Sequence, residues 1–379
     1  MTTMDEEILF EARNHIGLVT LNRPAVLNAL SSSMILQMHA QLRQWALDTS
    51  IYAVVVRGAG DKAFCAGGDV RAVHASFTPS SSAHRDFFAS EYRLDYFIHR
   101  YSKPYIALMD GIVMGGGMGI AQGASLRVVT DRTRMAMPEV GIGFFPDVGA
   151  SYFLSRLPGA LGMYLGLSGA QIRAADALYA GLADVHLPHE ALGGLDATFA
   201  TLRWSADHAA DIHGAVRALR AAKLPEPALA SLRPAIDAHF SRSDIRAILQ
   251  SLQSESSAPY HDWARHTLRM MAARSPLMMA VTARELERGR AMDLPDCFRM
   301  ELGMVLHCFE QGDFREGVRA VLVDKDNAPR WNPPRIEDVT EEMIAAFFLD
   351  TWAGATHPLA DLGAQERVRD PSAKVVNPG

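Results

Sequence analysis

The sequence predicts an α/β protein with parallel strand pairing, followed by a helical C-terminal region. Three observations carry that expectation. Short β-branched or apolar runs of strand length recur at Ala53-Val-Val-Val-Arg57, Tyr105-Ile-Ala-Leu-Met109 and Leu126-Arg-Val-Val129. Helical segments separate them, and Gly-rich loops follow the first two. Beyond about Trp204 the texture becomes helical.

In chain order, Glu7 to Arg13 and Gly17 to Asn22 read as a hairpin around Asn14-His15. Ser31 to Ser33 offer N-cap hydroxyls before Met34, Met38, Leu42 and Trp45, an apolar stripe at helical spacing. The strand at Ala53 empties into the loop Gly58 to Asp69, and a second cycle runs from a helix over Arg85 to Tyr101, through the strand at Tyr105, into the glycines of Gly111 to Gly119. A small-residue helix and the strand at Leu126 complete it. Pro225, Pro227 and Pro234 interrupt the chain before a region of helical periodicity such as Ile245, Ile248, Leu249 and Leu252. The expected organisation is a catalytic core over 1–203, a helical region over 204–350 that packs on the core or on a second copy in a homo-oligomer, and a loose tail over 351–379.

Composition narrows the function classes. The chain has 379 residues, with 37 Lys+Arg against 43 Asp+Glu and a net charge of -6. A slightly acidic balance without a basic run gives no footprint for nucleic acid or an anionic membrane, and no window has eighteen uninterrupted apolar residues. Three cysteines, Cys65, Cys297 and Cys308, make no disulfide framework and suggest a reducing, cytoplasmic setting, as does the acidic start of the chain. His186-Leu-Pro-His189 lacks a third ligand and reads as an exposed turn, so no metal is expected. The methionine pairs 270–271 and 278–279 read as core.

The glycine loops fit no nucleotide fingerprint. There is no G-x-G-x-x-G, no Walker lysine after the glycines and no G-x-S-x-G elbow, which sets aside dehydrogenases, P-loop enzymes and serine hydrolases. Such glycines either serve tight turns or let backbone N–H groups approach a ligand closely, as in an oxyanion hole. Lys62-Ala-Phe-Cys-Ala-Gly-Gly-Asp69 and Asp110-Gly-Ile-Val-Met-Gly-Gly-Gly-Met-Gly119 together resemble the paired signatures of the crotonase (enoyl-CoA hydratase/isomerase) superfamily. The resemblance implies a crotonase-like ββα superhelix and an acyl-CoA substrate. By position it implies that the N–H groups of Gly68 and Gly116 bind the thioester oxygen. CoA is then part of the substrate, and no separate cofactor is expected.

Hydratases of that family use two glutamates. Here the first of those positions is Gly119, and only the second, in Met137-Pro-Glu139, carries a carboxylate. A glycine transfers no proton, so plain hydration is disfavoured. Met137 to Gly149, with Asp147 eight residues after Glu139, is similar to the 3-hydroxyisobutyryl-CoA hydrolase branch, as are Ser90-Glu-Tyr-Arg93 and the segments Phe314 to Asp326 and Ala328-Pro-Arg-Trp331. The branch implies Glu139 and Asp147 as catalytic carboxylates, Glu91 as a substrate contact, and thioester hydrolysis in valine, or branched-chain amino acid, degradation.

Each residue also has an ordinary reading: Asp147 as a helix N-cap, Glu139 as a solvated loop carboxylate, Glu91 as the polar face of an amphipathic helix. Arg23 and Lys62 are weak candidates for the CoA phosphates, and the backbone of Cys65 and Ala66 for the CoA channel. The Cys65 thiol has no basic partner in sequence and is not expected to act as a nucleophile. A crotonase isomerase or hydratase using Glu139, or a noncatalytic acyl-CoA-binding protein, are the alternatives to a hydrolase.

Overall fold

The computed structural model describes residues 6–77, 82–220, 224–242, 244–352 and 355–364. β1 (Ile8–Arg13) and β2 (Ile16–Leu21) form the expected hairpin, turned by Asn14 and His15 with φ of 45° and 67°. α1 (Ser32–Leu47) starts where the hydroxyls predict: Ser31 Oγ accepts from Met34 N–H at 3.1 Å, and Met34, Ile35, Met38, Leu42 and Trp45 form the buried stripe.

Three ββα turns follow. The first is β3 (Ala53–Gly58) and β4 (Ala63–Cys65) with α2 (Val70–Ser76) and α3 (Ala83–His99). Next come β5 (Tyr105–Met109), β6 (Ile112–Met114) and α4 (Gly116–Gln122). The third is β7 (Leu126–Thr130) and β8 (Arg134–Ala136), a one-turn 3-10 helix at Glu139–Ile142, then α5 (Ala150–Phe153) and α6 (Leu161–Ser168). β9 (Ile172–Arg173), α7 (Ala174–Ala180), β10 (Val185–Leu187) and α8 (Leu192–Thr201) close this part.

In each turn the first strand joins a six-stranded sheet, ordered β1-β2-β3-β5-β7-β10, and the second joins a four-stranded sheet, β4-β6-β8-β9. Pairing is parallel except at β1–β2 and β8–β9. The consequence for function is direct. Because β4 and β6 run parallel as neighbours, the loops leaving Cys65 and Met114 emerge side by side, although fifty residues of sequence separate them.

The large sheet is covered on both faces, with the two-residue period of its strands dividing the core. Val54, Val56, Ala107 and Val129 face one cluster, while Ala53, Val55, Ile106 and Val128 face another. The second cluster is closed by Leu195 and Phe199 of α8 and by Ile212 and Val216 of α9 (His208–Arg217). The helical region therefore begins with a helix that belongs to the sheet. α10 (Ala228–Phe240), α11 (Ile245–Gln253), α12 (His261–Ala272), α13 (Pro276–Gly289), α14 (Leu294–Gln311), α15 (Phe314–Val318) and α16 (Glu341–Ala346) pack on the other side. Residues from Ile8 to Leu362 share that one core, so the helices cover their own chain's sheets and loops.

Two expectations change. Pro234 does not interrupt the chain but lies inside α10, and Pro227 stands at that helix's N-terminus, where the missing N–H costs nothing. Of the expected tail, residues 355–364 are docked: Leu359 and Leu362 are buried, and Asp361 pairs with Arg93 of α3 at 2.7 Å. The remainder, from 365, lies outside the described residues. No helix among the described residues is long and apolar enough to cross a membrane.

Candidate active site

The two glycine loops meet as the sheet order requires. A Cβ built on Gly116 would lie 3.1 Å from Gly68 N, and one on Gly67, at φ 112°, would lie 3.5 Å from Gly116 N. Side chains there would hold the loops apart. The bridge between Leu30 and the first loop uses Leu30 N–H to Gly67 O and Asp69 N–H to Leu30 O, and the Gly68 N–H between them has no acceptor among the described residues. Gly116 opens α4, where an N–H has no carbonyl one turn behind it. Two neighbouring backbone donors thus remain for a ligand oxygen.

Carboxyls face these donors. A Cβ on Gly116 would come within 2.3 Å of Glu91 Oε1, and one on Gly115 within 2.8 Å of Glu139 Oε1. Glu91, Glu139 and Asp147 are 2%, 7% and 5% exposed, which rules out the surface readings of Glu91 and Glu139. The N-cap reading of Asp147 also fails: α5 begins at Ala150, and Asp147 Oδ2 instead accepts from the Tyr92 hydroxyl at 2.7 Å. Burial, then the Asp147 carboxyl, pushes Glu91 well above the usual carboxylate range; Glu139 is raised by burial, Asp147 and Glu91. Asp147 is pushed up to about 7 by burial, with the Tyr92 hydrogen bond opposing.

No sequence signal marks the rest of this acidic interior. Asp95, one turn along α3 from Glu91, is fully buried with neither oxygen bonded; Glu285 of α13 is the same. Glu301 of α14 is buried but bonded, accepting from Gly149 N–H at 2.7 Å and from Ser151 N–H and Oγ–H at 3.0 and 2.5 Å. Among the described residues, no Lys, Arg or His pairs with any of these six carboxyls and no cluster could hold a metal ion. Unpaired carboxylates cannot all stay ionised at such depth, so the interior carries few charges at neutral pH. On a helix, an acid at i, i+4 from another acid looks like a polar face, and only tertiary packing turns that face inward.

Gly119 has a specific environment. A Cβ there would meet Asp95 Oδ2 at 2.6 Å and Val148 Cβ at 2.8 Å, so no side chain fits at the position where a hydratase carries its first glutamate. Of the weaker candidates, Arg23 is already neutralised by Glu7 and Asp69, both at 3.0 Å. Lys62 is exposed and Ala66 half-buried on the first loop. Cys65 is fully buried, its thiol pushed up to about 12 by burial, and its carbonyl lies under Gly117. The histidine pair is not an exposed turn: His186 lies on β10 and His189 contacts Asp110 at 3.1 Å.

The C-terminal segment singled out by sequence reaches the same site. Gly317 packs so tightly on the turn after Glu139 that a Cβ would lie 2.2 Å from the Ile142 carbonyl, and Phe314 packs on Phe144 with ring centroids 4.9 Å apart. Ser275 N–H donates to Val140 O at 3.1 Å. Glu139 is thus seated from the helical region as well as from its own loop.

Comparison with known proteins identifies the family and the fold. The family model described as enoyl-CoA hydratase/isomerase matches residues 16–348. The chain is 39% identical over 349 residues to the mitochondrial 3-hydroxyisobutyryl-CoA hydrolase of Xenopus tropicalis, covering 92% of this chain and 90% of that protein. It is 38% identical to the Rattus norvegicus protein of the same name over 91% and 89%. Among solved structures, a carnitinyl-CoA dehydratase from Mycobacterium thermoresistibile superposes with a TM-score of 0.84 at 38% identity, over 92% of this chain and 97% of that one. An enoyl-CoA hydratase from Rhodobacter sphaeroides gives 0.82 at 33%, over 91% and 98%.

Proposed function

The chain belongs to the enoyl-CoA hydratase/isomerase family, and from that premise we propose that it hydrolyses the thioester of a short 3-hydroxyacyl-CoA, with 3-hydroxyisobutyryl-CoA as the preferred substrate, in branched-chain amino acid breakdown. The observation that carries this reading is the pairing of Glu139 and Asp147 beside two free amides, with the first hydratase position closed by Asp95 and Val148.

In this reading the Gly68 and Gly116 N–H groups take the thioester oxygen and stabilise the charge that grows on it, each worth about 3 kcal/mol in the transition state. Glu139 either attacks the carbonyl carbon to give an anhydride or takes a proton from the water that attacks it. Water's oxygen ends on the acyl carbon, the C–S bond breaks, and the sulfur receives a proton. Burial that raises the proton affinity of Glu139 makes it the stronger base when ionised and the acid that can return the proton to sulfur. Asp147, held by Tyr92, orients the 3-hydroxyl or the water, and Glu91 closes the acyl end. Lys62 and Ala66 line the approach of the CoA chain. The cytoplasm suits three buried free thiols, while the vertebrate relatives are mitochondrial by name; cell fractionation distinguishes the two.

A second reading, hydration or dehydration of an enoyl-CoA, is favoured by the names of the two superposing structures. Thiol release measured on 3-hydroxyisobutyryl-, 3-hydroxypropionyl-, crotonyl- and acetyl-CoA separates the readings. Free CoA from the hydroxyacyl thioesters supports the hydrolase; loss of crotonyl absorbance without free thiol replaces it with a hydratase.

A further inference from the structure

The chain turns sharply just after Asp147. Val148 has φ 56° and Gly149 has φ 84°, two consecutive residues in the left-handed region. Glycine takes that conformation freely, but a β-branched residue rarely does, because its Cβ crowds its own backbone. Such strain persists only where the surroundings over-determine it. Here the Val148 side chain is buried against α4, near Gly119. Glu301, 152 residues beyond Gly149, receives the Gly149 N–H at 2.7 Å, the Ser151 N–H at 3.0 Å and the Ser151 hydroxyl at 2.5 Å. Both of its oxygens are committed to this one turn. A four-residue helix such as α5 needs only a local acceptor for its first N–H groups; a wholly buried carboxyl brought by a helix 152 residues further along the chain does more than cap it.

We propose that Glu301 is a positioning residue for the reaction: it clamps the strained Val148–Gly149 turn and thereby fixes Asp147 against the Tyr92 hydroxyl and the acyl group. This rests on Asp147 belonging to the hydrolytic site. It gives the helical region a task in the chemistry, since α14 holds in place a residue carried by the loops of the α/β part.

The test uses Glu301→Gln, Val148→Gly and the double variant in the full chain, with thiol release from 3-hydroxyisobutyryl-CoA as readout. Glutamine keeps one acceptor oxygen and presents its NH2 to an N–H group, so one turn donor loses its partner. The expected result is a fall in kcat of about tenfold or more with KM within about threefold, the pattern of a misplaced reacting group. Glycine at 148 adopts the turn without help, so the kcat lost on adding Glu301→Gln to Val148→Gly should be under about threefold. A purely structural Glu301 would show the same loss in both backgrounds. The proposal is overturned if folded Glu301→Gln keeps more than a third of wild-type kcat, or if Val148→Gly does not shrink the loss. Should Glu301→Gln alone fail to fold, the double variant decides: folded and active supports the clamp, unfolded or inactive overturns it. Asp147→Asn is run alongside. If that variant hydrolyses at the wild-type rate, the hydrolytic reading of Asp147 fails, whereas an inactive Asp147→Asn with an active Glu301→Gln removes only the clamp.

Discussion

The two sides of the site are built by different means. The amide side consists of backbone alone, Gly68 and Gly116, delivered by the parallel pairing of β4 and β6. The acid side consists of side chains from α3, the Glu139 turn, the Asp147 loop, α13 and α14, gathered from residues 91 to 301. The first side leaves little room: a Cβ on Gly116 would lie 2.3 Å from Glu91 Oε1, and one on Gly68 would press on the Phe87 ring at 3.2 Å. The second is buried with no cation paired to it among the described residues, so its working charge depends on which carboxyl releases a proton. One half of the chemistry is fixed by sheet geometry and the other by tertiary burial, and variants on the two sides should fail differently.

The largest effect is expected at Glu139. Glutamine there keeps the shape but can neither form the anhydride nor accept water's proton, so thiol release should fall by about 10³-fold with the melting temperature unchanged or raised. A folded variant that keeps more than a tenth of the rate would remove Glu139 from the chemistry.

On the amide side, Gly116→Ala should lower turnover by about 10²-fold while leaving far-UV dichroism native. The donor survives, but the new Cβ lies 2.3 Å from Glu91 Oε1 and 3.1 Å from Gly68 N, so the two sides can no longer close on one oxygen. A fully active variant would show that the thioester oxygen binds elsewhere.

The same contrast explains what could be read from the residues. The amide side was legible because its glycines sit in two contiguous motifs, each following a strand, and the wound α/β order needs only strand runs and helical periods. Ser31 as a cap and the hairpin at Asn14-His15 followed from local chemistry. The acid side was legible only as far as family resemblance reached, to Glu91, Glu139 and Asp147. Asp95, Glu285 and Glu301 lie on helices whose burial is decided by tertiary partners, from Gly119 of α4 for Asp95 to Gly149 and Ser151 for Glu301. The docking of 355–364 and the helix running through Pro234 were hidden for the same reason: the first is decided by Arg93 and Arg299, the second by packing of α10 on α6 and α7.

Asp147 tests the acid side's dependence on charge. With its carboxyl pushed up to about 7, the rate of thiol release should rise as pH passes from 6 to 8, and Asp147→Asn, which also takes away a charge that raises Glu139, should move that limb to lower pH and lose about tenfold or more of the rate at pH 8. Stability runs the other way. The folded protein holds this proton to about pH 7 while the unfolded chain releases it near the ordinary value of 3.8, so wild-type stability falls as pH rises between them. Asparagine has no proton to lose, and the variant's melting temperature should exceed wild type by more at pH 8 than at pH 4. A rate profile flat across this range in the wild type would refute the assignment.

The smallest effect on activity is expected at Glu285, which separates acids that react from acids that are merely enclosed. It is fully buried, neither oxygen has a partner, and burial followed by Glu301, Asp147 and Glu139 raises it well above the usual carboxylate range. The side chains nearest Gly68, Gly115 and Gly116 are those of Phe87, Glu91 and Glu139, so Glu285→Gln and Glu285→Met should keep thiol release within about threefold, a barrier change under about 0.7 kcal/mol. Their stabilities should separate two costs. Glutamine removes the charge but keeps unpaired polar atoms, so it should match wild type near pH 4, where Glu285 is neutral in both states, and exceed it increasingly toward pH 8. Methionine also removes the unpaired hydrogen-bonding groups, so it should be more stable at every pH, by about 1–3 kcal/mol. Thermal melts at pH 4, 6 and 8 measure both differences. A glutamine variant that melts below wild type at pH 8, or a tenfold loss of rate in either variant, would mean that Glu285 holds a charge the site uses, and the acid side would then extend chemically into α13.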